Sequence, residues 1–203
     1  MNKPTQRILL FVCGVAAFVV GVIAFRDGLR DLTGSSIPGV DEAAAEARSA
    51  IASLEAVPLQ GHGLTLRCPR NWTKETPTEG PLVLRINTLK GVVNANVAVE
   101  DVAEGTTAQA YADLNLKALR DSFERNQISL TTETPTPTTI GGRPGVMLRC
   151  SYRLKDPDVP LQITQVYTVA NRRGYAITFT APAEIAAQFG ALIQEMVASA
   201  QFG

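Results

Sequence analysis

Residues 8–25, opened by Ile8 and closed by Phe25 (ILLFVCGVAAFVVGVIAF), contain no charge and no proline. At the helical rise of ~1.5 Å per residue the run spans about 27 Å, close to the hydrocarbon thickness of a bilayer. Lys3 and Arg7 precede it, and Arg26, Asp27, Arg30 and Asp31 follow. The basic residues on the two sides nearly cancel, and the short free N-terminus tips the orientation toward N-terminus inside. Three readings are open. The first, which we take forward, is an uncleaved anchor that leaves the remaining chain outside the cytoplasm. The second is a cleaved export signal, with the small Val22 and Ala24 at the −3 and −1 positions. The third, a lipoprotein signal at Cys13, is opposed by the bulk of Val12 and by the few apolar residues before the cysteine.

Behind the run the composition changes. Residues 27–40 (DGLRDLTGSSIPGV) are rich in Gly and Ser and carry a proline, which marks a linker. Residues 41–56 (DEAAAEARSAIASLEA) open with two acids, lack a breaker and are dominated by alanine. Propensity and the helix dipole both predict a helix there. Because its apolar side chains are mostly methyl groups, it reads as a stalk, with packing on the domain as the alternative. The expected organisation is a transmembrane signal-anchor over residues 1–26, a linker and Ala-rich helix over 27–60, and a globular domain over 61–203.

Within that domain, Leu64, Leu66 and Cys68 alternate with polar residues up to Pro69, as in a strand. Residues 82–86 and 92–100 predict a hairpin turning at Lys90 and Gly91, with Val93, Ala95, Val97 and Val99 on one face. A helix is predicted over 107–126, where Thr106 and Gln109 have capping-box spacing and Ala112, Leu116, Leu119 and Phe123 form the apolar stripe. Residues 131–139 are threonine-rich with two prolines, which suits an edge strand or extended loop. Three long strands follow over 146–154, 161–170 and 175–180, joined by short turns that imply antiparallel pairing. A last amphipathic helix begins near Pro182 and carries Ile185, Phe189, Leu192, Ile193, Met196 and Val197 on one side. Strands, helix, strands, helix is the order of an α+β domain, an antiparallel sheet covered by helices.

The chemistry-bearing residues are few. Lys+Arg and Asp+Glu stand at 19 each, so no basic face for nucleic acid is implied. The one histidine, His62, lies between Gly61 and Gly63 and reads as a solvated loop residue. His-dependent nucleophile triads and multi-His metal sites are therefore absent from the pattern. Glu100, Asp101 and Glu104 lack calcium-loop spacing, and no cofactor site is indicated. The run from Gly141 to Gly145 (GGRPG) precedes a strand rather than a helix, so a tight turn is expected there, not a phosphate cradle. Asn71-Trp72-Thr73 fits a glycosylation pattern by chance frequency, and Trp72 is expected to be a core anchor. Cys68 and Cys150 both fall in phase with apolar neighbours. They pair as a disulfide if the domain is exported and their strands adjoin; otherwise they are two buried thiols that never meet.

Several local features resemble the PsbP-like superfamily, especially its bacterial DcrB-like branch. These are the first strand running into Cys68-Pro69-Arg70-Asn71-Trp72, the Ile140-Gly141-Gly142-Arg143-Pro144-Gly145 turn before a long strand, and the closing strand from Tyr175 to Phe179 followed by an amphipathic helix. The resemblance covers roughly residues 63–201. It implies an α/β/α sandwich around an antiparallel sheet, in proteins that are largely exported or membrane-attached and serve as binding or assembly modules. No metal-ligand residues carry over. The expectation is a membrane-tethered, non-catalytic module acting on a protein partner in the envelope. The alternatives are a domain carrying lipid or a small apolar molecule and, more remotely, an unrecognised hydrolase.

Overall fold

The structure, a computed structural model, describes residues 38–78, 80–88, 91–153 and 158–203. The apolar run 8–25 lies outside the described residues, and among these no helix is long and apolar enough to cross a membrane.

Helix α1 (Val40–Ala52) starts behind Gly39 in extended conformation, with Asp41 and Glu42 in the first turn where the helix dipole favours acids. Ala43, Ala47 and Ala50 recur at helical spacing and are buried. This corrects the stalk expectation. Alanine buries little area, but its small size lets the helix backbone lie directly on the core. The chain continues at once into β1 (Leu54–Leu59), which pairs antiparallel with β2 (Leu64–Pro69). The folded unit therefore includes residues 40–60, and the boundary expected at 61 cuts through it.

A three-stranded sheet has the order β1-β2-β11, closed by the short C-terminal strand β11 (Gln201–Phe202). The main sheet is eight-stranded and antiparallel. Its first arm is β3 (Thr73–Glu75), β4 (Leu82–Asn87) and β5 (Asn94–Asp101). Its second arm is β6 (Leu130–Thr132), β7 (Thr136–Ile140), β8 (Arg143–Arg153), β9 (Pro160–Ala170) and β10 (Arg173–Pro182). The order is β3-β4-β5-β10-β9-β8-β6, with β7 also on β8. The two arms join at the centre through β5 and β10. The connection between them is helix α2 (Ala108–Arg125). Its cap is Thr107, whose hydroxyl accepts from the Ala110 amide, one residue beyond the expected Thr106; Gln109 bonds Asp113 instead of closing a capping box.

Alternation along the strands divides the core in two. Tyr175, Ile177 and Phe179 of β10 join Ile86, Val97 and Trp72 on one face, under α1, the small sheet and the C-terminal helices. Ala176 joins Leu148, Cys150, Ile163 and Tyr167 on the other, under α2. The α/β/α sandwich is thus observed. The C-terminal helix is divided into α3 (Ala183–Ala186), a 3-10 turn (Ala187–Phe189) and α4 (Gly190–Ala198). All six residues of its expected stripe are buried. The tighter turn sets Phe189 edge-on to Trp72 at 6.2 Å.

Sheet edges among the described residues are short or interrupted by proline: β3 and β6 have three residues each, β11 has two, β1 carries Pro58 and β7 carries Pro137. Such edges resist strand-to-strand aggregation. Among the described residues, the exposed large apolar side chains are Val40 on α1 and Leu114 on α2, which lie on opposite sides of the main sheet.

Candidate functional site: a polar half of the sheet face

The face of the main sheet that carries α2 is apolar only where the helix lies. On the β3–β5 side two consecutive cross-strand rows are polar. In the first, Glu75 faces Arg85, Arg85 faces Asn96, Asn96 faces Thr178 and Thr178 faces Gln165. In the second, Thr73, Asn87, Asn94 and Thr180 follow in register. Directly opposite residues in antiparallel strands hold their Cβ atoms ~5 Å apart, so each row is a continuous strip of hydrogen-bonding groups.

These groups bond one another. Asn96 Nδ2 donates to Asn94 Oδ1 at 2.5 Å, and Asn94 Nδ2 donates to Asn87 Oδ1 at 2.6 Å. Tyr167 donates its hydroxyl to Gln165 Oε1 at 2.8 Å, and Gln165 Nε2 donates to Thr178 Oγ1 at 3.2 Å. Arg85 Nη1 meets Glu75 Oε2 at 3.2 Å. Two buried atoms of the first row have no partner: Arg85 Nε, a donor, and Asn96 Oδ1, an acceptor. Leaving such groups unpaired costs about 1–3 kcal/mol each, which natural folds seldom tolerate without a purpose. Exposure grades along the row. Asn96 is 8% exposed, the Arg85 side chain 20% and the Glu75 side chain 51%, so the row opens toward the β3 edge.

Sequence reasoning missed these rows. The available signal was the alternation of Asn94 and Asn96 with Ala95 and Val97, and of Thr178 and Thr180 with Ile177 and Phe179. Each strand alone reads as having one core face and one solvent face. Only the register brings the polar sets together.

The anticipated residues fall as follows. Cys68 and Cys150 are free thiols on opposite sides of the main sheet, Cys68 in the α1-side core and Cys150 under α2. The sheet between them rules out the disulfide in this fold. Burial pushes each thiol up to about 12, so neither is a thiolate near neutrality. Both are therefore expected to resist alkylation in the native protein and to react on unfolding, with reductant leaving the melting temperature unchanged; mapping the labelled cysteines by mass spectrometry checks this. Trp72 is a core anchor, its Nε1 donating to Glu46 Oε1 at 2.8 Å. Asn71 accepts from the Ser53 hydroxyl. The His62 carbonyl accepts from Tyr175. Gly141 and Gly142 form the tight turn, both at positive φ.

Of the three acids, Glu100 and Asp101 end β5 rather than lying in a loop; Asp101 Oδ1 stands 3.8 Å from Arg173 Nε, and Glu100 Oε1 accepts from the Tyr111 hydroxyl at 2.7 Å. Burial raises its carboxyl above the ordinary range, and the Tyr111 bond opposes that in part. A carboxyl raised in the folded state favours folding at pH below its unfolded value, and that contribution is lost as pH rises through the folded one. Relative to Glu100→Gln, which keeps an acceptor for Tyr111, the natural protein is expected to lose melting temperature as pH climbs from the ordinary carboxylate range through this raised value. Parallel thermal melts of the two proteins across that interval check the sign.

On the opposite face, α1 and the β4–β5 turn enclose a cleft of about 120 Å³ lined by residues including Glu42, Glu46, Val92, Val93, Ile185 and Phe189. A second space of about 20 Å³ lies beneath Trp72 and Phe189. Pockets for drug-sized ligands run from about 300 Å³, and a space near 150 Å³ holds a molecule such as benzene. Neither space takes an acyl chain as it stands.

No family model matches the chain, and no curated protein matches it. Solved structures do. The solution structure of cyanobacterial PsbP (CyanoP) from Synechocystis aligns at a TM-score of 0.62 and 12% identity, over 75% of this chain and 94% of that one. The Ran-binding protein Mog1p of Saccharomyces cerevisiae aligns at 0.53 and 14%, over 73% and 95%. LpqN of Mycobacterium tuberculosis, a protein involved in cell envelope biogenesis, aligns at 0.51 and 12%, over 73% and 89%. At these identities the likeness is one of architecture. The chain has a PsbP-like fold.

Proposed function

We propose that the chain is a membrane-tethered, non-catalytic accessory module of the DcrB-like kind, held by residues 8–25 with its domain outside the cytoplasm and acting by contact with another protein. The observation that carries this reading is the interior. Among the described residues, the spaces on the α1 side of the sheet, of about 120 and 20 Å³, are too small for a lipid. What the domain offers a partner is therefore surface. Among the described residues that surface carries no apolar patch, since Val40 and Leu114 stand apart. The fold also occurs in LpqN, a protein involved in cell envelope biogenesis, and in the Ran-binding Mog1p; the first suits a place in the envelope and both suit action by contact with another protein.

The test is a pair of reporters joined after Gly203 through a flexible spacer, one active only outside the cytoplasm and one only inside, with the mass of the membrane-bound product measured. Activity of the outside reporter on a full-length, membrane-bound chain is expected. Activity of the inside reporter removes the envelope assignment, and a shortened soluble product removes the tether.

A further inference from the structure

We propose that the row formed by Glu75, Arg85, Asn96, Thr178 and Gln165 is a recognition site for the paired backbone amides of one extended residue on a peptide segment of a protein partner. The inference rests on the reading of the domain as a binding module and names the chemistry of one contact. The row lacks two hydrogen-bond partners. Arg85 Nε has a hydrogen to give and Asn96 Oδ1 has lone pairs to fill; both are buried without a partner, and the two residues face each other across β4 and β5. A group that satisfies both presents an acceptor and a donor side by side. A carboxylate has no donor for Asn96 Oδ1, and Glu75 already sits on the Arg85 guanidinium at 3.2 Å, so the row has little charge left to attract an anion. A cation is repelled by Arg85. A sugar has the hydroxyls, but no ring of the row offers it a stacking platform; Tyr167, the nearest, is buried beneath α2. An extended peptide residue has both on one edge, because the N–H and C=O of its two flanking trans amides point the same way: C=O for Arg85 Nε and N–H for Asn96 Oδ1.

The surroundings suit this use. Asn96 cannot turn freely, because its Nδ2 is held by Asn94, which is held in turn by Asn87. Thr178 is fixed from the other side by Gln165, which Tyr167 holds. The acceptor is thus preorganised, and only Arg85 at the open end has to move.

The test uses the full 15N-labelled chain in detergent micelles, titrated with N-acetylglycine N-methylamide, a blocked residue with two amides. Sodium acetate and glucose serve as matched probes of the competing chemistries. The expected result is movement of the Arg85 Nε–Hε and Asn96 Nδ2 resonances with the blocked peptide alone. Arg85→Met and Asn96→Leu are each expected to weaken that response about tenfold, the loss of one charge-assisted or buried hydrogen bond. Backbone spectra of both variants report whether they fold; if Asn96→Leu does not, the natural protein's selectivity and Arg85→Met decide. Unmoved resonances overturn the proposal, as does an equal response to acetate or glucose, or a response that persists in the folded variants. The titration is independent of where the domain resides. Its failure would leave the tethered module standing with a different contact surface, and a cytoplasmic reporter result would leave the site standing.

Discussion

Gly141→Ala is expected to lower the melting temperature sharply, while Gly142→Ala one residue on is tolerated. Both glycines form the turn between β7 and β8 at positive φ, +53° and +79°. Alanine in that left-handed region costs about 1–2 kcal/mol at either position. What separates them is space. A Cβ at Gly141 falls 1.9 Å from the Ala200 carbonyl oxygen and 2.8 Å from its carbon, whereas one at Gly142 has nothing within 4 Å. The obstruction is backbone and cannot swing aside. It belongs to the segment linking α4 to β11, which is fixed on both sides: the Gly141 amide donates to Val197, and Gln201 and Phe202 are paired with β2. Relieving the clash means shifting the C-terminal strand, and overpacking of that kind costs a further ~1–3 kcal/mol. The sum, about 2–5 kcal/mol, corresponds to a fall of roughly 4–20 °C in a domain of this size, against roughly 2–8 °C for Gly142→Ala. Calorimetry of the two variants beside the natural protein checks it. Equal losses would mean that conformation alone requires glycine here and that the contact with Ala200 is slack.

The same turn shows what a sequence can disclose. Paired glycines before a long alternating strand announce a turn, and the strand duly begins at Arg143. That the first glycine also makes room for the C-terminus is invisible, because Ala200 lies far along the chain and β11 is two residues long, too short for any periodicity. The long elements were legible for the converse reason. The stripe of α2 and the alternation of β8 each repeat one burial decision many times, so the period emerges. The candidate site has no such redundancy. Arg85, Asn96, Thr178 and Gln165 come from four strands, each with a polar residue where a strand with a wet face would have one. Their meeting depends on registers set by distant apolar neighbours. Cys68 and Cys150 misled in the related way: correct phase on each strand says that both point inward, but a sheet with two covered faces has two insides.

The helix α1 is where propensity and packing diverged most, and it supports the second large effect. A chain beginning at residue 61, the boundary that composition suggests, is expected not to fold, whereas one beginning at residue 38 folds. Removing the segment between them exposes the surface that Ala43, Ala47 and Ala50 cover, with Ile185 and Phe189 beneath. It strips β2 of a six-residue antiparallel partner. It takes away Glu46, the acceptor for the buried Trp72 indole, and Ser53, whose carbonyl and hydroxyl hold Arg70 and Asn71. Each loss is moderate, but they converge on one corner of the core. Burial at ~25 cal/mol per Å² over a helix and a strand, together with an orphaned indole donor at about 1–3 kcal/mol, exceeds about 5 kcal/mol, comparable with the whole stability of an ordinary domain. Trp72 is the sole tryptophan, so its emission reads the outcome directly. The longer chain is expected to show blue-shifted emission and a cooperative melt, and the shorter one solvent-exposed emission with none. A native-like spectrum from the shorter chain would return α1 and β1 to the role of a detachable stalk and place the N-terminal boundary of the domain at residue 61.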